Sequence, residues 1–303
     1  MIVAAFVAIL LFCCTSYASP PMALALGLIL SLTLGNPFKK LSSKTAKYLL
    51  QISVVGLGFG MNLGEVISAG KTGVMITIFS IAGTLVLGYM LGKLLVVNSK
   101  AASLISSGTA ICGGSAIAAM APILGANEKE ISISLGTVFI LNSIALFVFP
   151  VIGHFFGLTS HQFGVWAAVA IHDTSSVVGA AAKYSPDALK VATVIKLTRA
   201  LWIVPLSLLA AFVFKNRSSK SQFPYFIFAF VLASCIVTLL PNMNTIYMSL
   251  THIAKIGLTI TLFLIGSGLS KETLKTVGFR PILLGTILWV IVSSVSLLLV
   301  RFA

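Results

Sequence analysis

The stretch AVAIHDTSSVVGAAAKYSPDA, residues 168–188, sets one carboxylate and one imidazole in an otherwise apolar run. An ionisable side chain at membrane depth is costly and marks a functional site by default. Asp173 can carry a coupling proton or sodium ion. His172 titrates near neutrality and can relay a proton or donate to an anion. Thr174, Ser175 and Ser176 add three hydroxyls in succession. A structural role competes with this one. Asp and Ser are favoured just before a first helical turn, here the turn opening a helix over 174–183.

A second stretch, GTAICGGSAIAA at 108–119, is almost all small and wholly uncharged. Gly113-Gly114 can break a helix and free backbone N–H and C=O groups, with Thr109, Cys112 and Ser115 around the break. Irregular backbone at membrane depth survives only where it is buried in protein or lines a cavity. A half-helix N-terminus aimed at such a gap attracts anions. Close helix packing also selects small residues and accounts for the alanines. A third feature is Lys196 and Arg199 in KVATVIKLTRALWIVP. Three apart, they share a helix face. Counted from residue 188, they lie roughly 12 to 17 Å into their segment, too deep for easy snorkelling. They can neutralise Asp173, or hold a dianion with the Arg fork.

These residues need a membrane scaffold to position them. The chain has 303 residues, 58% hydrophobic and only 9% charged, with mean hydropathy +1.10. A soluble domain carries about a quarter charged residues. The expected class is an all-α polytopic membrane protein, one domain over 1–303, with roughly nine to eleven membrane segments. Apolar runs fall at 2–17, 21–35, 47–63, 73–97, 103–124, 131–153, 163–183, 188–214, 223–240, 246–269 and 281–301. The first is read as a retained helix rather than a signal peptide, because no basic residue precedes it. The net charge of +14 belongs to cytoplasmic loops. No basic run is interleaved with aromatics, so no nucleic-acid partner is expected. Cys13, Cys14, Cys112 and Cys235 show no metal spacing, and no metal or other cofactor is expected.

Basic residues gather at 36–47, 215–220 and 271–280, which should be cytoplasmic, whereas 154–162 and 241–245 hold none and should face out. The crossing count keeps all of these in place if 103–124 and 163–183 each enter and leave by one side. Residues 54–74 superpose on 262–282, with Gly58, Gly60 and Gly70 falling on Gly266, Gly268 and Gly278. A fainter match puts Ser115, Ala119 and Ala121 on Ser176, Ala180 and Ala182. Opposed repeats of this kind mark secondary transporters, with substrate held near the midplane. The expected halves are 21–153 and 163–303, each holding one broken or re-entrant Gly/Ser-rich segment. Asn62 and Asn142 read as interhelical hydrogen-bond partners, and Glu65 and Glu272 as interfacial residues.

GTAICGGSAIAA, the IHD–SSVV–GAA–SPDA run and the K-L-T-R pair before Pro205 resemble the sulfate exporter family, conserved bacterial inner-membrane proteins. The family is similar to the cation:proton antiporter and anion transporter superfamily. The resemblance covers nearly the whole chain and implies inverted repeats, broken helices and alternating access. Other members can carry Glu-Val-Ala-Gln where this chain has Asp173-Thr174-Ser175-Ser176. The acid is kept but shorter, so substrate and coupling ion are not carried over.

The leading expectation is an ion-coupled carrier of a small anion, sulfate or sulfonate-like, in a bacterial inner membrane, with H⁺ or Na⁺ as coupling ion. Thr109, Cys112, Gly113, Gly114, Ser115, Thr174, Ser175, Ser176, Lys196 and Arg199 would hold the anion, with Asp173 and His172 coupling. A homodimer is compatible with this reading. The alternatives are a sodium/proton antiporter with no anion substrate and, less favoured, an intramembrane enzyme using Cys112 or a serine with His172 as base. No nucleophile motif frames those residues, so no enzymatic activity is expected. A channel is disfavoured by opposed repeats with a buried acid. The GxxxxGK[ST] motif is absent, which argues against ATP-driven pumping by this chain.

Overall fold

The computed structural model describes residues 2–15, 17–213, 225–268 and 277–302, and every regular element among them is helical. The basic connection 215–220, Lys271, Glu272 and Lys275 lie outside the described residues, and the second repeat segment, 262–282, lies partly outside them.

Each apolar run becomes one helix or a pair of helices. The first four are α1 (Ile2–Cys13), α2 (Pro20–Thr33), α3 (Lys39–Gly58) and α4 (Leu63–Leu94). The run at 103–124 divides into α5 (Ser99–Ala110) and α6 (Gly114–Ile123), and a long α7 (Glu128–Phe155) follows. The run at 163–183 divides into α8 (Ser160–Ala170) and α9 (Thr174–Tyr184). Then come α10 (Pro186–Leu201), α11 (Ile203–Val213), α12 (Tyr225–Leu239), α13 (Asn244–Gly268) and α14 (Phe279–Phe302). Five spans are long and apolar enough to cross a membrane, six if α3 and the start of α4, bent by 112°, form one. The rest of the expected segments are shorter. Helices α1, α2 and α12 have 12, 14 and 15 residues, and α5, α6, α8 and α9 have 12, 10, 11 and 11.

The two divided runs are hairpins. Lys100 Nζ, at the start of α5, donates to the carbonyl of Gly125 just beyond α6 at 2.7 Å. Ser185 Oγ, just beyond α9, donates to Ser160 Oγ at the start of α8 at 2.9 Å. Tyr184 stacks on Phe163 with ring centroids 3.8 Å apart and hydrogen-bonds the carbonyl of Leu158. Both ends of each hairpin are therefore together, and its tip lies one arm away. An arm of ten to twelve residues is about 15 to 18 Å long, half of a hydrocarbon core of about 30 Å.

Helix α7 sets the hairpins in opposition. Its 28 residues extend about 42 Å, from the base of the first hairpin to the base of the second. Near its start Ser134 Oγ donates to the carbonyl of Ala101 on α5. Near its end Gly153 abuts Phe163 and Tyr184. At its middle the Asn142 side-chain oxygen accepts the backbone N–H of His172 at 3.0 Å. The hairpins thus enter from opposite faces and end at the middle of α7. Lys93, Lys100 and Lys129 lie towards the first hairpin's base.

The matched repeat glycine Gly266 serves close packing. A Cβ on Gly266 would stand 2.4 Å from the Leu24 carbonyl oxygen, and one on Gly27 would stand 2.3 Å from that of Phe263. Helices α2 and α13 therefore cross with backbone against backbone, as small residues permit in membranes. Gly27→Leu should force them apart and cost about 3 kcal/mol or more. Its thermal transition in detergent should fall by several degrees; an unchanged transition would contradict this crossing. In chain order the first hairpin follows α3 and α4, whereas the second precedes α13 and α14.

Asn62 is corrected by the structure. It caps α4, its side-chain oxygen accepting Glu65 N–H at 2.9 Å, as Asn does before a first turn. Glu65 itself is exposed.

Candidate functional site

Gly113 and Asp173 bring the tips together. A Cβ on Gly113 would stand 3.3 Å from both Cα and Cβ of Asp173. Gly113 adopts φ +67° and ψ −123°, a conformation in which a Cβ is strained. The glycine pair therefore lets α5 end and α6 begin within three residues, with Gly113 N–H closing the turn onto Gly108 O at 2.8 Å. Gly113→Ala combines backbone strain of about 1 to 3 kcal/mol with pressure on Asp173. Its expected signature is folded protein whose thermal transition in detergent falls by several degrees. An unchanged transition would show that the tips need not touch this closely.

Four helix ends meet here: the C-terminal ends of α5 and α8 and the N-terminal ends of α6 and α9. A helix end carries unpaired backbone groups and roughly half a charge, negative at the C-terminus and positive at the N-terminus. The two buried cations serve the two negative ends. Lys196 Nζ donates to the carbonyls of Ile171 at 2.8 Å and Ala168 at 3.3 Å, closing α8. The Arg199 guanidinium donates to the carbonyl of Ala110, closing α5, and to Ser80 Oγ on α4 at 2.6 Å. Both side chains are fully buried. Their depth follows from α10, which starts beside the second hairpin's base and runs parallel to α8. Lys196 thus reaches the end of α8, and Arg199, a turn further, the end of the opposing α5. The spacing gives both cations one face; it does not reveal that each holds a different hairpin. Neither pairs with Asp173.

The two positive ends differ. Asp173 caps α9, accepting Ser175 N–H at 3.0 Å, Ser176 N–H at 3.3 Å and the Ser175 hydroxyl. The capping role weighed against ion coupling is therefore present, in a carboxylate that stays half-buried. No side chain among the described residues caps α6. Gly114 at its start is half-buried and Ser115 exposed, whereas Cys112 is buried. Thr174, Ser175 and Ser176 are buried in the first turn of α9.

Several buried polar atoms at the tips have no partner among the described residues: Thr109 Oγ1, Asn142 Nδ2, both ring nitrogens of His172, and Arg199 Nε. They belong to the tips or to α7 and α10, which hold them. An unmet buried polar group costs about 1 to 3 kcal/mol. The set is rich in donors, since amide Nδ2 and guanidinium Nε can only donate, and imidazole and hydroxyl each offer one hydrogen. Donors in surplus, with cations on the negative helix ends, can bind an oxyanion. The described residues hold no group of three His, Cys, Asp or Glu able to bind a metal. Asn142 makes the bond between elements that its sequence position suggested, whereas Ser80 and Thr77, whose buried hydroxyl also lacks a partner, join the constellation unannounced by sequence. Ser and Thr in an apolar helix read only as packing residues.

The family model described as conserved hypothetical protein 698 matches residues 1–285 of this chain. A UPF0324 membrane protein of Bacteroides thetaiotaomicron is 52% identical over 290 residues, covering 95% of this chain and 88% of the relative. A UPF0324 membrane protein of Porphyromonas gingivalis is 52% identical over 290 residues, covering 93% and 87%. One from Geobacter sulfurreducens is 47% identical over 296 residues, covering 98% and 95%. The chain belongs to the UPF0324 membrane protein family. No solved structure matches it. Both hairpins, α7 and α10 lie inside the region matched by the family model. The UPF0324 names state membrane location and no substrate; none mentions sulfate, an exporter or an antiporter, so that part of the resemblance rests on the motifs alone.

Proposed function

We propose that this UPF0324 protein is a secondary active transporter of a small anion, sulfate or sulfonate-like, in the bacterial inner membrane. It works by alternating access and is coupled to H⁺ or Na⁺. The observation carrying the reading is the tip-to-tip contact of two opposed half-membrane hairpins, whose C-terminal ends are neutralised by Lys196 and Arg199. Two full cations outweigh the two half-negative ends by about one charge, the two half-positive ends offset the Asp173 carboxylate, and the balance is about one positive charge in excess. An anion among the unpaired donors of Thr109, Asn142, His172 and Arg199 completes it. Gly114 and Ser115 would offer backbone N–H groups from the uncapped α6, and Thr174 and Ser176 their hydroxyls. Asp173, held on α9, takes the coupling cation, and binding of anion and cation together keeps the centre near neutral. Rearrangement of the hairpins against their surroundings then exposes the centre to either face.

Labelled sulfate flux into proteoliposomes, with and without imposed pH or sodium gradients, tests this. Saturable, gradient-dependent uptake that a sulfonate inhibits is the expected result. Absence of uptake by folded protein, for sulfate and sulfonates alike, would sink it. A sodium/proton antiporter is the second reading, favoured by the half-buried Asp173 carboxylate; it predicts sodium flux driven by pH and indifferent to sulfate.

A further inference from the structure

A small cavity with a mostly apolar wall, Leu57, Met61 and Leu189 among its lining, lies on α10, away from the tips. Its volume is about 50 Å³, and its lining includes Gly60, Pro186, Lys190, Thr193, Thr251 and Lys255. It sits at the C-terminal end of α3, opposite the end that bears Lys39, Lys40, Lys44 and Lys47, and beside the second hairpin's base. Helices α3, α10 and α13 each supply part of the wall.

The chemistry of this cavity is one-sided. Two lysines line it, from different helices, Lys190 half-buried and Lys255 exposed, and among the described residues no Asp or Glu does. Asp187, one turn before Lys190, and Glu65, on α4, both stand outside the lining. Neither ammonium makes a hydrogen bond or ion pair among the described residues. The Thr251 hydroxyl oxygen is buried and has no partner. A Cβ on Gly60 would lie 3.1 Å from Thr251 Cγ2 and 3.2 Å from Oγ1, so a larger residue there would press on the Thr251 side chain. The carbonyls ending α3 are already taken: Gly60 N–H bonds Leu57 O at 2.9 Å and Met61 N–H bonds Gly58 O at 3.3 Å. Acceptors are thus spent and donors left over, which suits an anion. The volume suits a small oxyanion or a few waters. Lys190, Thr193 and Lys196 follow at spacings of three on α10, a rise of about 9 Å from the cavity to the tips.

We propose that this cavity is a peripheral oxyanion subsite, where a sulfate-sized anion is held by Lys190, Lys255 and the Thr251 hydroxyl on its way to or from the hairpin tips. It deepens the anion-carrier reading and rests on it for its purpose, though its occupancy is measurable without transport.

The first test reads occupancy alone. Purified protein is treated with an amine-acylating reagent at constant ionic strength, with sulfate, phosphate, methanesulfonate or chloride, and modification of each lysine is followed by mass spectrometry. Sulfate at about four times its dissociation constant should slow Lys190 and Lys255 about fivefold relative to exposed Lys44. Protection by none of the oxyanions overturns the subsite. A second arm uses flux. Lys190→Gln with Lys255→Gln should raise KM for sulfate from that face about fivefold and leave the maximal rate unchanged. Unaltered flux kinetics in that variant overturn the subsite and leave the carrier standing. Protection in a wild type that moves no anion supports the subsite and removes the carrier reading.

Discussion

Arg199→Ala should abolish anion flux, by at least about a hundredfold, while lowering stability by less than its complete burial would suggest. Two effects oppose each other in the folded protein. Truncation leaves the Ala110 carbonyl without its donor, at about 1 to 3 kcal/mol, and opens a cavity. It also removes a buried charge whose desolvation was itself expensive. The electrostatic consequence for the centre is not offset. The negative end of α5 is left exposed to the tips and the positive excess disappears, so an anion loses both its attraction and the Nε donor. Arg199→Lys separates charge from geometry. It keeps the cation but cannot reach both Ser80 and Ala110 with a planar fork, and should retain the fold with strongly reduced flux. Sulfate flux and a thermal transition, measured on both variants, check this. Wild-type flux in Arg199→Ala would remove the guanidinium from the site.

Asp173→Asn should likewise stop gradient-driven flux while barely affecting folding. Asn is as good an N-cap as Asp, so the bonds from Ser175 and Ser176 persist while the charge goes. Asp173→Ala loses the cap as well, at about 1 kcal/mol, and its transition should fall where that of Asp173→Asn holds. If coupling runs through the carboxylate, Asp173→Asn loses accumulation against a gradient. If the residue only caps α9, the Asn variant transports normally and only the Ala variant is impaired. Flux and melting of the two variants therefore separate coupling from capping, two roles one side chain can fill together.

The helical class and both breaks are legible in the residues. Gly113-Gly114 and Asp173 interrupt apolar runs for reasons that hold before any fold is known: a positive φ favours glycine, and a buried acid needs N–H partners. Half-length arms follow from the same breaks. The roles of Lys196 and Arg199 are not legible in that way. Their common face suggests a joint partner, yet one holds the end of α8 and the other the end of α5. That division depends on the hairpins entering from opposite faces, which α7 decides by its length and by Asn142. The Arg199–Ser80 bond joins residues 119 apart in sequence, and no local pattern announces it. Asn62 misled because an Asn beside apolar runs fits a cap as well as an interhelical bond, and only the chain direction at α4 tells them apart. Lys190 and Lys255 lie far apart in sequence, and only the packing of α10 and α13 brings them to one cavity.

The central claim is that the hairpin tips are reached in turn from both faces, and native Cys112 is placed to report it. In this structure its side chain is buried between the tips, 2% exposed. In a variant carrying Cys13→Ala, Cys14→Ser and Cys235→Ser, Cys112 is the one remaining thiol. Its reaction with a membrane-impermeant thiosulfonate should be measured in right-side-out and inside-out vesicles, with and without sulfate. Alternating access predicts modification from each face, with sulfate changing both rates. Modification from one face alone under every condition, or from neither in protein that still transports, would contradict it.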